Sequence, residues 1–144
     1  MTDEFKQKIQ EILDSTDEQK VELAKGALSS MLNGLMQHGL TEEQVPGFII
    51  SFTRLFVCID KHCSTKEFEF FKVVTGIDNM TYKDFYEMTA DHYDEEFLNG
   101  ILGFYHNLTP EEKSAGIYYG LAVLSSDYVI NYSEISLIDF LLQC

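Results

Sequence analysis

The sequence predicts an all-α fold, a compact bundle of about eight helices arranged as two repeated halves. Apolar residues recur at steps of three and four, helix-capping motifs recur along the whole chain, and no segment has a convincing alternating pattern of a β-strand. Since 45% of the 144 residues are hydrophobic, the chain can bury a substantial core, and we expect residues 1–144 to form a single domain.

Capping motifs indicate where the helices begin. Thr16 is followed three residues later by Gln19, so the threonine hydroxyl can accept from a backbone N–H while the Gln19 side chain reaches back to the start of the helix. Similar or looser motifs begin at Thr41, Ser64, Thr81, Thr109 and Asn131. With the apolar periodicity, these motifs predict helices near 3–13, 17–33, 44–60, 65–75, 82–92, 94–106, 110–126 and 132–142.

Two helix boundaries have a specific expected cause. The second helix should end at Asn33-Gly34 or at Gly39, because glycine tolerates the left-handed conformation that closes many helices. Pro46 is expected to bend or restart the third helix, because proline lacks the backbone N–H that a helix interior needs.

Apolar side chains at helical spacing mark the predicted core. One face of the second helix carries Val21, Ala24, Leu28, Met31 and Leu35. Aromatic residues continue the core in the third and fourth helices, at Phe48, Phe52, Phe56, Phe68, Phe70 and Phe71. Burying such a ring stabilises the fold by about 2–3 kcal/mol, so we interpret these residues as core rather than as a cofactor site.

Two segments of the chain repeat one acidic motif. In each, an apolar helix ends in aspartate, a short turn and a capping Ser or Asn follow, and a glutamate stands seven residues after the aspartate; the pairs are Asp60 with Glu67 and Asp127 with Glu134. The repeat predicts two four-helix halves, about 1–77 and 78–144, related by a pseudo-twofold axis. The four carboxylates would converge if the axis passes near these turns, and would lie apart otherwise.

Through these two motifs the chain resembles the TerB-like domains, an all-helical, internally duplicated and acidic family named after tellurite-resistance proteins. The family pattern is roughly an apolar helix end, Asp-Gly, a short turn, a capping residue and a glutamate. The duplication and the eight-helix layout extend the resemblance over nearly the whole chain, while Lys61 and Tyr128 stand where the family usually has glycine. The resemblance implies a stress-associated protein-interaction module with cation binding as one function.

Two interpretations of the repeated acidic residues stay open. As structural residues, Glu67 and Glu134 complete capping boxes and favour the positive ends of their helices. As ligands, Asp60, Glu67, Asp127 and Glu134 would supply the oxygen atoms that Ca²⁺ or Mg²⁺ prefers. The sequence contains no EF-hand loop, so such a site would be unconventional.

A second acidic feature lies in the predicted fifth helix. Asp84, Glu87 and Asp91 fall on one stripe of this helix, with steps of three and four. The stripe is either a solvated helix face or a docking patch for a basic partner, to which Tyr86 and Tyr93 would add contact area.

Charge limits the classes of partner. Twenty-four acidic residues against 10 basic ones give a net charge of −14, which repels nucleic acids and anionic membranes and attracts cations or basic proteins. We therefore expect no nucleic-acid or membrane binding. The sequence has no recognisable secretory signal or membrane-spanning run, and Cys58, Cys63 and Cys144 match no zinc or redox spacing, so we expect a cytoplasmic protein with free thiols.

Catalytic motifs are not recognisable in the sequence. It lacks the P-loop, GxGxxG, GxSxG and HExxH patterns, and no histidine follows a glutamate at the Glu-x-x-His spacing of di-iron bundles. The first hypothesis is therefore a non-enzymatic acidic binding module with a divalent-cation site at the paired turns. The alternative is a metal-independent adaptor that docks a basic partner through its acidic surface, and a cryptic enzyme is the third hypothesis.

Overall fold

The helices of the protein match the predicted fold class. The computed structural model describes residues 3–57, 64–77, 79–90, 95–127 and 132–143, with backbone only at 86, 88–90, 95–98, 127 and 132–134. These ranges contain no strand, which confirms the all-α prediction, and their eight α-helices are α1 (Asp3–Asp14), α2 (Asp17–Gln37), α3 (Val45–Val57), α4 (Thr65–Thr75), α5 (Tyr82–Ala90), α6 (Glu95–Tyr105), α7 (Pro110–Leu124) and α8 (Tyr132–Gln143). Short 3-10 turns at Glu42–Gln44 and Ser125–Asp127 precede α3 and follow α7.

Reciprocal capping boxes begin several of the helices, as predicted. At the start of α2, Thr16 Oγ1 accepts from the Gln19 N–H at 3.2 Å and the Gln19 side chain accepts from the Thr16 N–H at 2.9 Å. The same pairing begins α4, α5 and α7, where it joins Ser64 to Glu67, Thr81 to Asp84 and Thr109 to Glu112. The motif at Asn131 lies outside the described residues.

The start of α3 uses half of a capping box. The Gln44 side chain accepts from the Thr41 N–H at 3.0 Å, whereas the Gln44 N–H donates to the Thr41 carbonyl, which closes a 3-10 turn. Pro46 is the second residue of α3. It lies where a helix has no use for the missing N–H. Of the two predicted effects of Pro46, a bend or a restart, the structure shows an α-helix that begins beside this proline after a 3-10 turn.

The end of α2 differs from the predicted boundary near residue 33. The helix continues past Gly34, and Gly39, the alternative stop, follows it with φ of 110°. The Leu40 N–H then donates to the Leu35 carbonyl at 2.9 Å, a bond typical of a Schellman motif. Because Leu35 and Leu40 are both buried in the core, the left-handed glycine and apolar burial together fix the helix end at this point.

Helix α7 is the centre of the fold, since α1, α2, α3, α4 and α8 all pack against it. Helix α2 has the most extensive contact with α7 and runs antiparallel to it: Gly34 late in α2 faces Glu112 in the first turn of α7, and Lys20 early in α2 reaches Ser125 after the end of α7. The buried residues of α7 lie on all its sides, as expected for an enclosed helix: Gly116, Ile117, Tyr119, Gly120, Leu121, Ala122, Val123 and Leu124.

Two glycines allow neighbouring side chains to approach the backbone of α7. A Cβ built on Gly116 would lie 2.7 Å from Met31 Sδ, and one built on Gly120 would overlap the Phe56 ring. Phe52 and Phe56 are fully buried against this face, which confirms the predicted aromatic core of α3. Buried side chains from all eight described helices form one cluster, while the pseudo-twofold relation between the halves stays a prediction.

One polar pair lies inside this core. Thr53 Oγ1 donates to the Ile49 carbonyl at 2.7 Å and lies 2.5 Å from the Tyr119 hydroxyl, so the Tyr119 O–H is the donor to Thr53. Burial in the core raises the pKa of the Tyr119 hydroxyl well above its usual range. The tyrosine therefore keeps its proton and ties α7 to α3.

Replacing Gly120 with alanine should destabilise the protein by about 1–3 kcal/mol, because the added methyl group must displace the Phe56 ring in a packed core. The matched control is Gly26→Ala in the middle of α2, where a Cβ meets nothing within 4 Å; it should stabilise by about 0.5–1 kcal/mol through helix propensity. Urea unfolding of the two variants measures both changes. Equal shifts for the two variants would contradict the close packing of α3 on α7.

Candidate functional site

Glu67, one of the predicted metal ligands, is a buried helix cap. Its residue surface is 5% exposed, and its Oε1 accepts from the Ser64 N–H at 3.0 Å while Ser64 Oγ accepts from the Glu67 N–H at 3.1 Å. The predicted capping box at Glu67 is therefore confirmed.

The other three predicted ligands lie outside the part of the chain whose side chains are described. These are Asp60, Asp127 and Glu134, although the backbone of Asp127 ends the 3-10 turn after α7 and that of Glu134 lies in the first turn of α8. Among the described residues, no three His, Cys, Asp or Glu side chains form a group that could hold a metal ion. The four-carboxylate site stays a prediction.

One described part of the second acidic motif lies near the helix that follows the first. The turn Ser125–Asp127 packs against α4, the helix that Glu67 begins. A small groove of about 250 Å³ lies along this contact, and its lining includes Lys66, Glu69 and Phe70 of α4 together with Ser126 of the turn. Whether the four carboxylates converge stays a prediction, because Asp60 and the side chains of Asp127 and Glu134 lie outside what the structure describes.

Lys20 is a buried cation beside the turn Ser125–Asp127, and it was not among the residues singled out in the sequence. Its side chain is fully buried, and Nζ donates to the Ser125 carbonyl at 2.8 Å. The C-terminal end of a helix carries unpaired carbonyls and a partial negative charge, so an ammonium group is favourable there. The available signal was spacing: Lys20 precedes Ala24 by four residues and Leu28 by eight, on the apolar face of α2.

The predicted acidic stripe on α5 is exposed where it is described. Asp84 and Glu87 are both exposed, and Asp84 Oδ2 accepts from the Thr81 N–H at 3.3 Å, so this aspartate also caps α5. Asp91, Tyr93 and the side chain of Tyr86 lie outside the described part of the helix. The docking-patch interpretation of this stripe stays a prediction.

Two larger grooves open on other faces. The α3–α6 groove, of about 360 Å³, is mainly apolar and is lined by Leu40, Gln44, Gly47, Phe48, Ser51, Gly100, Ile101 and Phe104. The α1 groove, of about 580 Å³, is more polar and lies where α1, α7 and α8 meet; it is lined by Glu4, Phe5, Gln7, Lys8, Glu11, Ser114, Tyr118 and Leu142.

Carboxylates and lysines are placed differently on the surface. The described carboxylates are mostly exposed, namely Asp3, Glu4, Glu11, Asp14, Asp17, Glu18, Glu22, Glu42, Glu43, Glu69, Asp84, Glu87 and Glu111. By contrast, three lysines fold back over aromatic rings, with Nζ-to-centroid distances of 5.4 Å for Lys8 over Tyr118, 5.3 Å for Lys72 over Phe68 and 5.6 Å for Lys113 over Tyr105. Lys20 is buried as well, so four lysines contact rings or a carbonyl group of the protein itself.

Comparisons with known proteins add no relative. No protein-family model, curated protein or solved structure matches the chain. In the part of the chain that is described, no helix is both long enough and apolar enough to cross a membrane.

Substitution of Lys20 by methionine tests the buried ammonium. It keeps an unbranched apolar stem but leaves the Ser125 carbonyl without this donor, so we expect a loss of about 1–3 kcal/mol in unfolding free energy. Lys25→Met, at an exposed position of the same helix, should change it by less than about 0.5 kcal/mol. Guanidinium unfolding compares the two, and similar small effects would argue against a structural role for Lys20.

Proposed function

We propose that the protein is a non-enzymatic binding module that docks a basic protein partner through its acidic surface. The observation that supports this proposal is the unequal placement of charge. Exposed carboxylates dominate the described surface, whereas Lys8, Lys20, Lys72 and Lys113 are directed onto the protein's own rings or carbonyl groups. With these lysines folded onto the protein, exposed carboxylates are the charged groups that a basic partner meets first.

The exposed carboxylates are densest where α1 meets α2. Glu11, Asp14, Asp17, Glu18 and Glu22 are all exposed within this short stretch. A basic segment that approaches this corner meets several negative charges that are close together along the chain, so their attractions add. The corner therefore favours a partner with clustered lysine or arginine residues over one with a single cation.

A defined peptide tests this proposal directly. A fluorescently labelled peptide of alternating lysine and serine should bind in the presence of a chelator, and raising the salt from 50 to 300 mM should weaken binding by about tenfold or more, because screening removes the attraction. The same peptide with glutamate in place of lysine is the control. Fluorescence anisotropy measures both, and equal binding of the two peptides, or binding that salt leaves unchanged, would contradict the proposal.

A divalent-cation site at the paired turns is the second candidate function. The contact between the turn Ser125–Asp127 and α4 favours it, because the backbone of the second motif lies against the helix of the first. The Lys20 ammonium on the Ser125 carbonyl opposes it, since a metal ion at that oxygen would meet a positive charge. The stress-associated role implied by the resemblance to TerB-like domains stays a prediction.

Thermal unfolding separates the two candidates. If the paired turns bind a metal, chelator-stripped protein should melt at a higher temperature in Ca²⁺ or Mg²⁺ at 100 times its dissociation constant, a stabilisation of about 2.7 kcal/mol. The double variant Asp60→Ala with Asp127→Ala should lose this shift. Glu42→Ala with Glu43→Ala removes the same charge from an exposed turn and should keep it. No shift with any of Ca²⁺, Mg²⁺, Mn²⁺ or Zn²⁺ would leave the metal-independent function.

A further inference from the structure

The α1 groove contains a cation that the protein supplies itself. Lys8 of α1 extends its ammonium over the ring of Tyr118 on α7, 5.4 Å from the ring centroid. The same Nζ lies 3.8 Å from Glu11 Oε2, one helical turn along α1. An aromatic face with a carboxylate beside it is a combination that binds ammonium and guanidinium groups, because the negative face of the ring and the carboxylate both attract positive charge.

The carboxylates of the groove act on the tyrosine hydroxyl through space. The pKa of Tyr118 is raised by its partial burial and, in addition, by the negative charges of Glu4 and Glu11. Both glutamates line the groove, so its opening has negative charge on α1 and an aromatic wall on α7. Phe5 stacks on Tyr118 with centroids 5.6 Å apart, which holds the ring in its orientation.

The interactions that keep the Lys8 ammonium over the Tyr118 ring are weak. The side chains of Lys8 and Glu11 are 36% and 59% exposed, and their separation is close to the limit for an ion pair. Water and salt compete with such a pair, so its net contribution is small. A cation brought by a partner can therefore take the position over the ring without breaking a buried interaction.

We propose that the α1 groove binds an arginine side chain of the basic partner, which takes the place of Lys8 on the Tyr118 ring. This inference rests on the function proposed above and assigns a location to it. Arginine is the better occupant because its planar guanidinium stacks on the ring while its N–H groups donate to carboxylates at the edge of the groove. Phe5 and Leu142 add apolar lining for the methylene stem.

The groove is also large enough for more than one side chain. Its volume of about 580 Å³ lies within the range of sites that enclose a small ligand, and its lining mixes apolar groups with the Ser114 hydroxyl and the Gln7 amide. A short peptide segment, with one arginine over the ring and its backbone against these polar groups, matches that composition. An acidic or uncharged segment would gain nothing from Glu4 and Glu11.

The test uses a labelled peptide of alternating arginine and serine, with the full-length protein at 50 mM salt and anisotropy as the readout. Lys8→Gln should tighten binding by about two- to fivefold more than Lys6→Gln, because it also frees the ring. Lys6 is the matched control, since it is exposed on the same helix, carries the same charge and does not line the groove. Equal effects of the two variants would overturn the inference.

Variants of the ring give a second, independent readout. Tyr118→Leu should weaken binding of the arginine peptide by about two- to fivefold, whereas Tyr118→Phe, which keeps the aromatic face, should stay within about twofold of the original protein. The melting temperature of each variant shows whether it is folded. The Phe variant and the Lys8 pair still decide the question if Tyr118→Leu unfolds, and loss of binding in Tyr118→Phe would contradict stacking on the ring.

A last comparison distinguishes this inference from the general proposal. Glu4→Gln with Glu11→Gln should weaken binding more than Glu42→Gln with Glu43→Gln, which removes the same charge outside the groove and outside the acidic corner. If the original protein binds the arginine peptide and both double variants weaken it equally, the acidic surface binds but the groove is not the site. If the original protein does not bind the peptide at all, the proposed function fails together with this inference.

Discussion

The contact of α7 with its neighbours at Gly116 and Gly120 determines where most other elements lie. Because these residues have no side chain, Met31 of α2 and the rings of Phe52 and Phe56 on α3 lie against the helix backbone. This close approach fixes α3, which forms one wall of the α3–α6 groove, and orients α7 so that Tyr118 faces α1 and Ser125 faces α2. The α1 groove and the region around the turn Ser125–Asp127 therefore both depend on how α7 is packed.

Features that depend on neighbouring residues in the sequence were predictable. The boxes at Thr16, Ser64 and Thr109 need only residues three positions apart, and the core rings of α3 follow a repeat of four. These signals therefore placed most helix starts and the aromatic core correctly. The stop of α2 was harder, because Gly34 and Gly39 are equally good local candidates and tertiary contact decides between them.

Features that depend on which helices become neighbours could not be predicted from the sequence. Gly34 lies inside α2, where the Glu112 carboxylate occupies the space that a Cβ would need. The two residues are 78 positions apart in the chain, so no local pattern encodes this contact. No local sequence pattern indicated the buried hydrogen bond of Lys20 for the same reason: its partner, the Ser125 carbonyl, is 105 positions away. The α1 groove likewise brings together Lys8, Tyr118 and Leu142, which are far apart in the chain.

The position of Lys20 has a consequence for how the region around Ser125 responds to its surroundings. An ammonium group attached to the chain has a high effective concentration at its acceptor, and neither a chelator nor a change in the metal content of the solution can remove it. The Ser125 carbonyl thus accepts from a charged donor that belongs to the chain itself. A free ion that competes for this oxygen must therefore displace an ammonium group that the fold holds in place.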